Sequence, residues 1–144
     1  MKEVVASVDI DAPAQRVWEI LMDFDRYPDW NPFIRSIRGE ARVGARLEVG
    51  LQPPGGRVHT FRPTVVRFEP GRDLRWLGRV GFANVFDGRH SLRVEPLGDA
   101  RSQFTQHERF SGVLLPFMGG AVRGARAGFE AMNHSLKRRA EGGS

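Results

Sequence analysis

Three polar side chains fall where two β-strands should turn apolar groups inward. The stretch from Val85 to Gly112 reads VFDGRHSLRVEPLGDARSQFTQHERFSG. Its two alternating runs, Phe86–Val94 and Gln103–Phe110, flank Glu95-Pro96-Leu97-Gly98-Asp99, the pattern of a hairpin. Phe86, Gly88, His90, Leu92 and Val94 share one face of the first run, and Phe104, Gln106, Glu108 and Phe110 the matching face of the second. His90, Gln106 and Glu108 therefore stand among aromatic groups. A histidine there is a general base or a donor to a ligand oxygen near neutral pH. Glu108 is its partner, or an acid of raised pKa where solvation is poor. Gln106 orients either one. The plain structural alternatives are a histidine hydrogen-bonded to the next strand and a glutamate paired with an arginine. Buried polar groups need partners, and an apolar wall with a few placed polar groups is how ligand cavities are lined. His90 and Glu108 are the candidate catalytic groups.

Other chemistries find no support. The chain of 144 residues has no cysteine, which removes disulfides, thiolate metal sites and cysteine nucleophiles. The four histidines lack ligand spacing, so no metal is expected. Neither a nucleotide loop nor a nucleophile elbow is present, and no hydroxyl stands in a nucleophile–base pattern, so no cofactor is expected. The net charge of +5 comes from arginines scattered along alternating strands, which reads as solvated outer faces rather than a nucleic-acid footprint. No run reaches membrane-spanning length and Met1-Lys2-Glu3 lacks the apolar segment of a secretory signal. A cytoplasmic protein without stable membrane insertion is expected, as a monomer or homodimer.

The elements that must position the polar groups follow from periodicity. Glu3–Asp11 reads as a strand with Val4, Ala6, Val8 and Ile10 on one face. Ala12-Pro13 opens a helix with Val17, Trp18, Leu21 and Met22 as its apolar side. Phe24–Trp30 makes a short helical turn that Asp25 caps and that Pro28 and Asn31-Pro32 end. Strands are expected over Phe33–Glu40, Ala45–Gln52, Arg57–Glu69 and Asp73–Val80, with Pro63 marking an edge or a bulge in the third. Gly81-Phe82-Ala83-Asn84 links them to the hairpin. After Gly112 the spacing turns helical: Met118, Ala121, Val122, Ala125, Phe129, Met132 and Leu136 form one stripe, with Gly120, Gly124 and Gly128 along its flank. Those glycines mean close packing on another backbone or room for a ligand. Consecutive strands with short turns give an antiparallel meander, and the long helix must bury its stripe on the sheet.

On these residues the chain resembles a known superfamily. Ile10-Asp11-Ala12-Pro13, Val17-Trp18, Leu21, Phe24 and Tyr27-Pro28-Asp29-Trp30-Asn31-Pro32-Phe33 are similar to the opening of START-like proteins, the group of polyketide cyclase/dehydrases and lipid-transport proteins. Phe61-Arg62-Pro63, Leu74-Arg75-Trp76-Leu77-Gly78, Phe86-Asp87-Gly88-Arg89-His90 and His107-Glu108-Arg109-Phe110-Ser111-Gly112 resemble its small bacterial single-domain members. The resemblance spans nearly the whole chain and implies one START-like (SRPBCC) domain over residues 1–144. It implies an α+β helix-grip fold: one N-terminal strand, two short helices, a six-strand meander, and a curved antiparallel sheet of about seven strands gripping a long C-terminal helix over a pocket. It brings no shared catalytic motif.

Three functions remain open at this point. The first is binding or transport of a small hydrophobic molecule, a lipid, polyketide or isoprenoid, between the sheet and the last helix. The second is a cyclase or dehydratase in which His90 or Glu108 moves a proton beside a carbonyl. The third is a protein-interaction module of the chaperone-activator kind. The candidate ligand-binding residues are Trp30, Phe33, Trp76, Phe82, Phe86, His90, Phe104, Gln106, Glu108, Phe110, Phe117, Phe129 and Met132, and for each aromatic the alternative is ordinary core packing.

Overall fold

The computed structural model describes residues 1–80 and 85–142. Eight strands, three α-helices and two 3-10 turns lie among them. Strand β1 (Lys2–Ile10) leads to α1 (Ala14–Met22), a 3-10 turn (Phe24–Arg26) and α2 (Tyr27–Trp30). Seven strands follow: β2 (Ile34–Arg38), β3 (Glu48–Leu51), β4 (His59–Phe61), β5 (Thr64–Glu69), β6 (Asp73–Val80), β7 (Phe86–Pro96) and β8 (Ser102–Ser111). A second 3-10 turn (Leu115–Phe117) precedes the long helix α3 (Gly119–Ala140).

The strands form a five-stranded sheet in the order β1-β8-β7-β6-β5 and a three-stranded sheet in the order β2-β3-β4, both antiparallel. An isolated bridge between Arg46 and Thr64 joins the two parts, with Leu47 N–H donating to the Pro63 carbonyl at 2.8 Å. The fold is the expected α+β helix grip, with one difference in its strands. Arg57–Glu69 does not run as one strand. It breaks at Arg62-Pro63 into β4 and β5, because proline has no N–H to give the ladder. The break bends the sheet, and His59 and Phe61 come to line its concave side.

Burial follows the alternation. Val4 and Ile10 of β1, Leu74 and Trp76 of β6, Leu92 and Val94 of β7, and Phe104 of β8 are buried in one core with the inward faces of α1 and α3. On α1 the buried residues are Ala14, Val17 and Leu21, at helical spacing. At the start of β6, Asp73 is fully buried and accepts from the Ser91 hydroxyl at 2.8 Å and from Arg75 at 3.1 Å. Arg67 at 3.4 Å and Arg93 at 3.8 Å complete a charge cluster that ties β5, β6 and β7 together. Some of the scattered arginines thus hold the sheet rather than merely solvate it.

The Phe24–Trp30 segment differs in detail from its expected form. No side chain caps either turn, and Pro28 sits inside the first turn of α2 rather than ending it, a position where its missing N–H has no partner to lose. Asn31 ends the segment, its Oδ1 accepting from Phe33 N–H at 2.9 Å and Ile34 N–H at 2.8 Å. Tyr27 is buried and its hydroxyl donates to the Leu21 carbonyl at 2.7 Å. Burial pushes its ionisation far above the ordinary tyrosine range. Tyr27→Phe leaves that carbonyl one donor short in the interior. A loss of about 1 kcal/mol in urea unfolding is expected, and an unchanged midpoint would show that the bond contributes nothing.

Candidate functional site

Helix α3 divides into two halves by side-chain size. From Gly119 to Gly128 its residues are small apart from Val122, Arg123 and Arg126, and from Phe129 onward its inward residues are Phe129, Met132 and Leu136, each fully buried. Large side chains close the C-terminal half against the sheet. Small ones leave a gap in the N-terminal half. The gap is a cavity of about 250 Å³. Ala121 and Ala125 form its helical side, Trp76, Gly78 and Arg79 of β6, Phe86 and Gly88 of β7, and Glu108 and Phe110 of β8 its sheet side, and Phe33, Leu51, Pro53, His59 and Phe61 its remaining wall.

The glycine flank of α3 is required by packing at one position. A Cβ at Gly128 would stand 2.2 Å from the Phe33 ring, so that turn packs directly on an aromatic face. A Cβ at Gly124 would meet Pro53 at 3.6 Å, an ordinary contact. Gly120 has only the Arg123 guanidinium near it.

Glu108 is the polar group of the cavity wall that lies deepest. Its carboxyl lies over Gly88, whose missing Cβ would otherwise stand 2.4 Å from Oε2. Gly88 pairs across the strands with Gly78, where a Cβ would crowd the Phe61 ring at 3.1 Å. The two glycines make a notch in the sheet that the carboxyl and the ring occupy. Glu108 Oε1 is 3.8 Å from His90 Nδ1, too far for a hydrogen bond. Its side chain is 16% exposed. Desolvation pushes its pKa up to about 8, so at neutral pH it is mostly the protonated acid.

His90 lies behind it. The ring is edge-on to Trp76 at 5.0 Å and stacked on Phe129 at 4.8 Å. Its Nε2 is 2.9 Å from Gln106 Oε1. The Gln106 amide nitrogen donates to Asn133 Oδ1 at 2.8 Å and to the Phe129 carbonyl at 3.4 Å. A carbonyl only accepts, so this bond sets the orientation of the Gln106 amide. Its oxygen then faces His90, and Nε2 carries the imidazole proton, leaving Nδ1 as a bare acceptor toward Glu108. Burial lowers the His90 pKa to about 4, with the Gln106 bond opposing and His107 reinforcing the shift. A neutral histidine beside a protonated carboxyl is a consistent pair: neither charge stands in the apolar interior.

The sequence-derived residues therefore separate by position. Phe33, Trp76, Phe86, Glu108 and Phe110 line the cavity. His90 and Gln106 sit behind its wall and reach it only through Glu108 and Trp76. Phe104, Phe129 and Met132 are fully buried in the packed half of the core, away from the cavity lining. Trp30 packs on Tyr27 at 5.2 Å and does not line the cavity, and Phe117 is 80% exposed. Phe82 lies outside the described residues. The reason is longitudinal: alternation shows which side chains face inward but not how far along the helix the gap extends. Leu51, Pro53, His59, Phe61, Gly78, Arg79, Gly88, Ala121 and Ala125 were not foreseen as lining. The break at Pro63 and the run of small residues after Met118 were the signals for them.

Among the described residues no cluster of three or more metal-binding side chains occurs. No helix among them is long and apolar enough to cross a membrane.

Solved structures share this fold. A START superfamily protein from Mycobacterium smegmatis is 23% identical, with a TM-score of 0.75 over 96% of this chain and 97% of that one. The Zhui aromatase/cyclase from a Streptomyces species is 22% identical, with a TM-score of 0.69 over 99% of each chain. Norcoclaurine synthase from Thalictrum flavum, a point mutant bound to a transition-state analogue, is 14% identical, with a TM-score of 0.66 over 96% and 93%. At these identities the likeness is one of fold. Among curated proteins no sequence matches. The family model described as polyketide cyclase / dehydrase and lipid transport matches residues 1–141, and the chain belongs to that family.

Proposed function

We propose that this protein binds a small, mostly apolar molecule carrying an oxygen acceptor, held between the sheet and the N-terminal half of α3. The observation that carries the reading is an apolar cavity of about 250 Å³ with the Glu108 carboxyl, its pKa raised by desolvation, set over Gly88 at the inner wall. Phe33, Phe61, Trp76, Phe86 and Phe110 supply apolar contact. The Glu108 hydroxyl donates to a carbonyl or hydroxyl oxygen, a bond strengthened by the dry surroundings. Names of structural relatives support the same class, since an aromatase/cyclase is among them.

A carbonyl-bearing naphthalene dye followed by fluorescence tests it. The dye is expected to bind with constant affinity at low pH and to weaken about tenfold per unit once pH passes the Glu108 pKa of about 8. Deprotonation removes the donor and places a carboxylate against the ligand. Glu108→Gln keeps a donor and should flatten the profile. Failure of the dye to bind, or a profile that ignores both pH and the substitution, would sink the reading. Native mass spectrometry of the purified protein adds the mass of any retained ligand.

A second reading has its own support. A carboxylic acid of pKa about 8 is poised for general acid–base work near neutral pH. In that case a carbonyl substrate is protonated on oxygen by Glu108 as a ring closes or water leaves, and turnover falls with Glu108→Gln while affinity persists.

A further inference from the structure

The segment leading into the long helix takes no part in the cavity wall. It runs Gly112-Val113-Leu114-Leu115-Pro116-Phe117-Met118. Gly112, at φ 118°, turns the chain out of β8 where a Cβ would strike the Val85 carbonyl at 2.4 Å. Leu114 N–H donates to that carbonyl at 3.0 Å, and Leu115 and Met118 pack on the core. The segment is thus tied down from within. Outward it presents Val113 at 73%, Leu114 at 39% and Phe117 at 80% exposure. Three apolar side chains held toward solvent within five residues are an unfavourable arrangement that a partner would relieve.

On the α3 side of the segment the charge has one sign. From Gly112 to Phe129 the chain carries Arg123 and Arg126 and neither aspartate nor glutamate, whereas Arg109 on β8 is paired with Glu3 at 3.2 Å. Arg123 and Arg126 are exposed. The Arg123 guanidinium folds back toward the start of α3, 3.3 Å from where a Cβ of Gly119 would stand. The first turn of α3 holds no acidic residue, so the positive end of the helix dipole adds to the arginines. An apolar tip of this size is too small for a stable protein interface, which needs about 800 Å² from each partner. Apolar side chains with basic residues behind them are the pattern that settles into an anionic lipid surface.

We propose that Val113–Phe117 and the first turns of α3 dock peripherally on an anionic lipid bilayer. The docking goes beyond the ligand reading and does not depend on it, yet the two meet in space. Ala121 and Ala125, on the same turns of α3, line the cavity, so docking brings the cavity rim to the lipid surface.

Sedimentation of the full chain with vesicles tests it. Binding is expected to phosphatidylcholine vesicles containing phosphatidylglycerol, and at least about tenfold weaker binding to phosphatidylcholine alone or at raised salt. Phe117→Ser combined with Val113→Ser should weaken it by at least about tenfold. Arg123→Gln and Arg126→Gln should each weaken it about fivefold. Leu97→Ser removes an exposed apolar side chain from the opposite end of the β7–β8 hairpin and should change nothing. All of these side chains are exposed, and circular dichroism of each variant serves as the check that it folds. Absence of binding to the anionic vesicles overturns the proposal, as does binding that survives loss of Phe117 and Val113. A concentration-dependent dimer abolished by Phe117→Ser, without vesicle binding, assigns the tip to a second copy and also overturns it.

Discussion

Between pH 6.5 and pH 8 the protein is expected to lose about 1 kcal/mol of stability, and Glu108→Gln is expected to abolish that loss. The sign follows from two groups. Glu108 is raised from 4.5 to about 8, so the folded state holds a proton that the unfolded state releases between those values. Its contribution is complete below pH 4.5 and declines as pH rises toward 8. His90 is lowered from 6.5 to about 4, so the unfolded state binds the extra proton, and stability rises with pH from about 4 to 6.5. From 4.5 to 6.5 the two slopes oppose and nearly cancel. Above 6.5 Glu108 dominates, and because each group is half titrated at one end of the window the net is about one pH unit at about 1.4 kcal/mol. The charged and titratable groups sharing its cavity are His59 and Arg79, with Arg79 held 3.6 Å from Asp87 across the strands. Urea midpoints from pH 4 to pH 9 for the protein and the glutamine variant measure the effect. A flat profile above 6.5 in the unmodified protein would mean that Glu108 is solvated and ionised, and the neutral-acid account of the cavity would go with it.

How much of this was legible in the residues differs from element to element. The β7–β8 hairpin, its inward faces and the α3 stripe follow from period-two and period-3.6 spacing, because burial imposes those periods directly. The juxtaposition of His90 with Glu108 follows from hairpin pairing alone, and the register does place them opposite one another. What alternation does not contain is the position of the gap. That depends on the summed volume of facing side chains on elements far apart in the chain: Ala121 and Ala125 against Gly78 and Gly88. An alanine in a helix reads as a good helix former wherever it stands. The strand break at Pro63 was visible as a proline, but its consequence, His59 and Phe61 turned into the cavity, depends on the curvature of the whole sheet. Glu108's protonation state likewise rests on a void that the sequence does not display.

The sharpest contrast should come from two substitutions of identical chemistry four residues apart. In an exposed helix, glycine to alanine gains up to about 1 kcal/mol by restricting the unfolded chain. Gly124→Ala meets only Pro53 at 3.6 Å and should show most of that gain. Gly128→Ala places its methyl 2.2 Å from Cδ1 and 2.3 Å from Cε1 of Phe33. That ring is 3% exposed and sits edge-on against Phe129 at 5.7 Å, so it has little room within the core. Overpacking of this kind costs about 1–3 kcal/mol, which outweighs the helix gain. The two variants should therefore differ by about 2–3 kcal/mol in urea unfolding, with opposite signs. The displaced ring has one direction open to it, into the cavity that it lines. Gly128→Ala should then weaken dye binding at every pH, whereas Glu108→Gln alters only its pH dependence. Equal stability of the two glycine variants would show that α3 does not rest on Phe33 as described, and the division of the helix into a packed half and an open half would need to be redrawn.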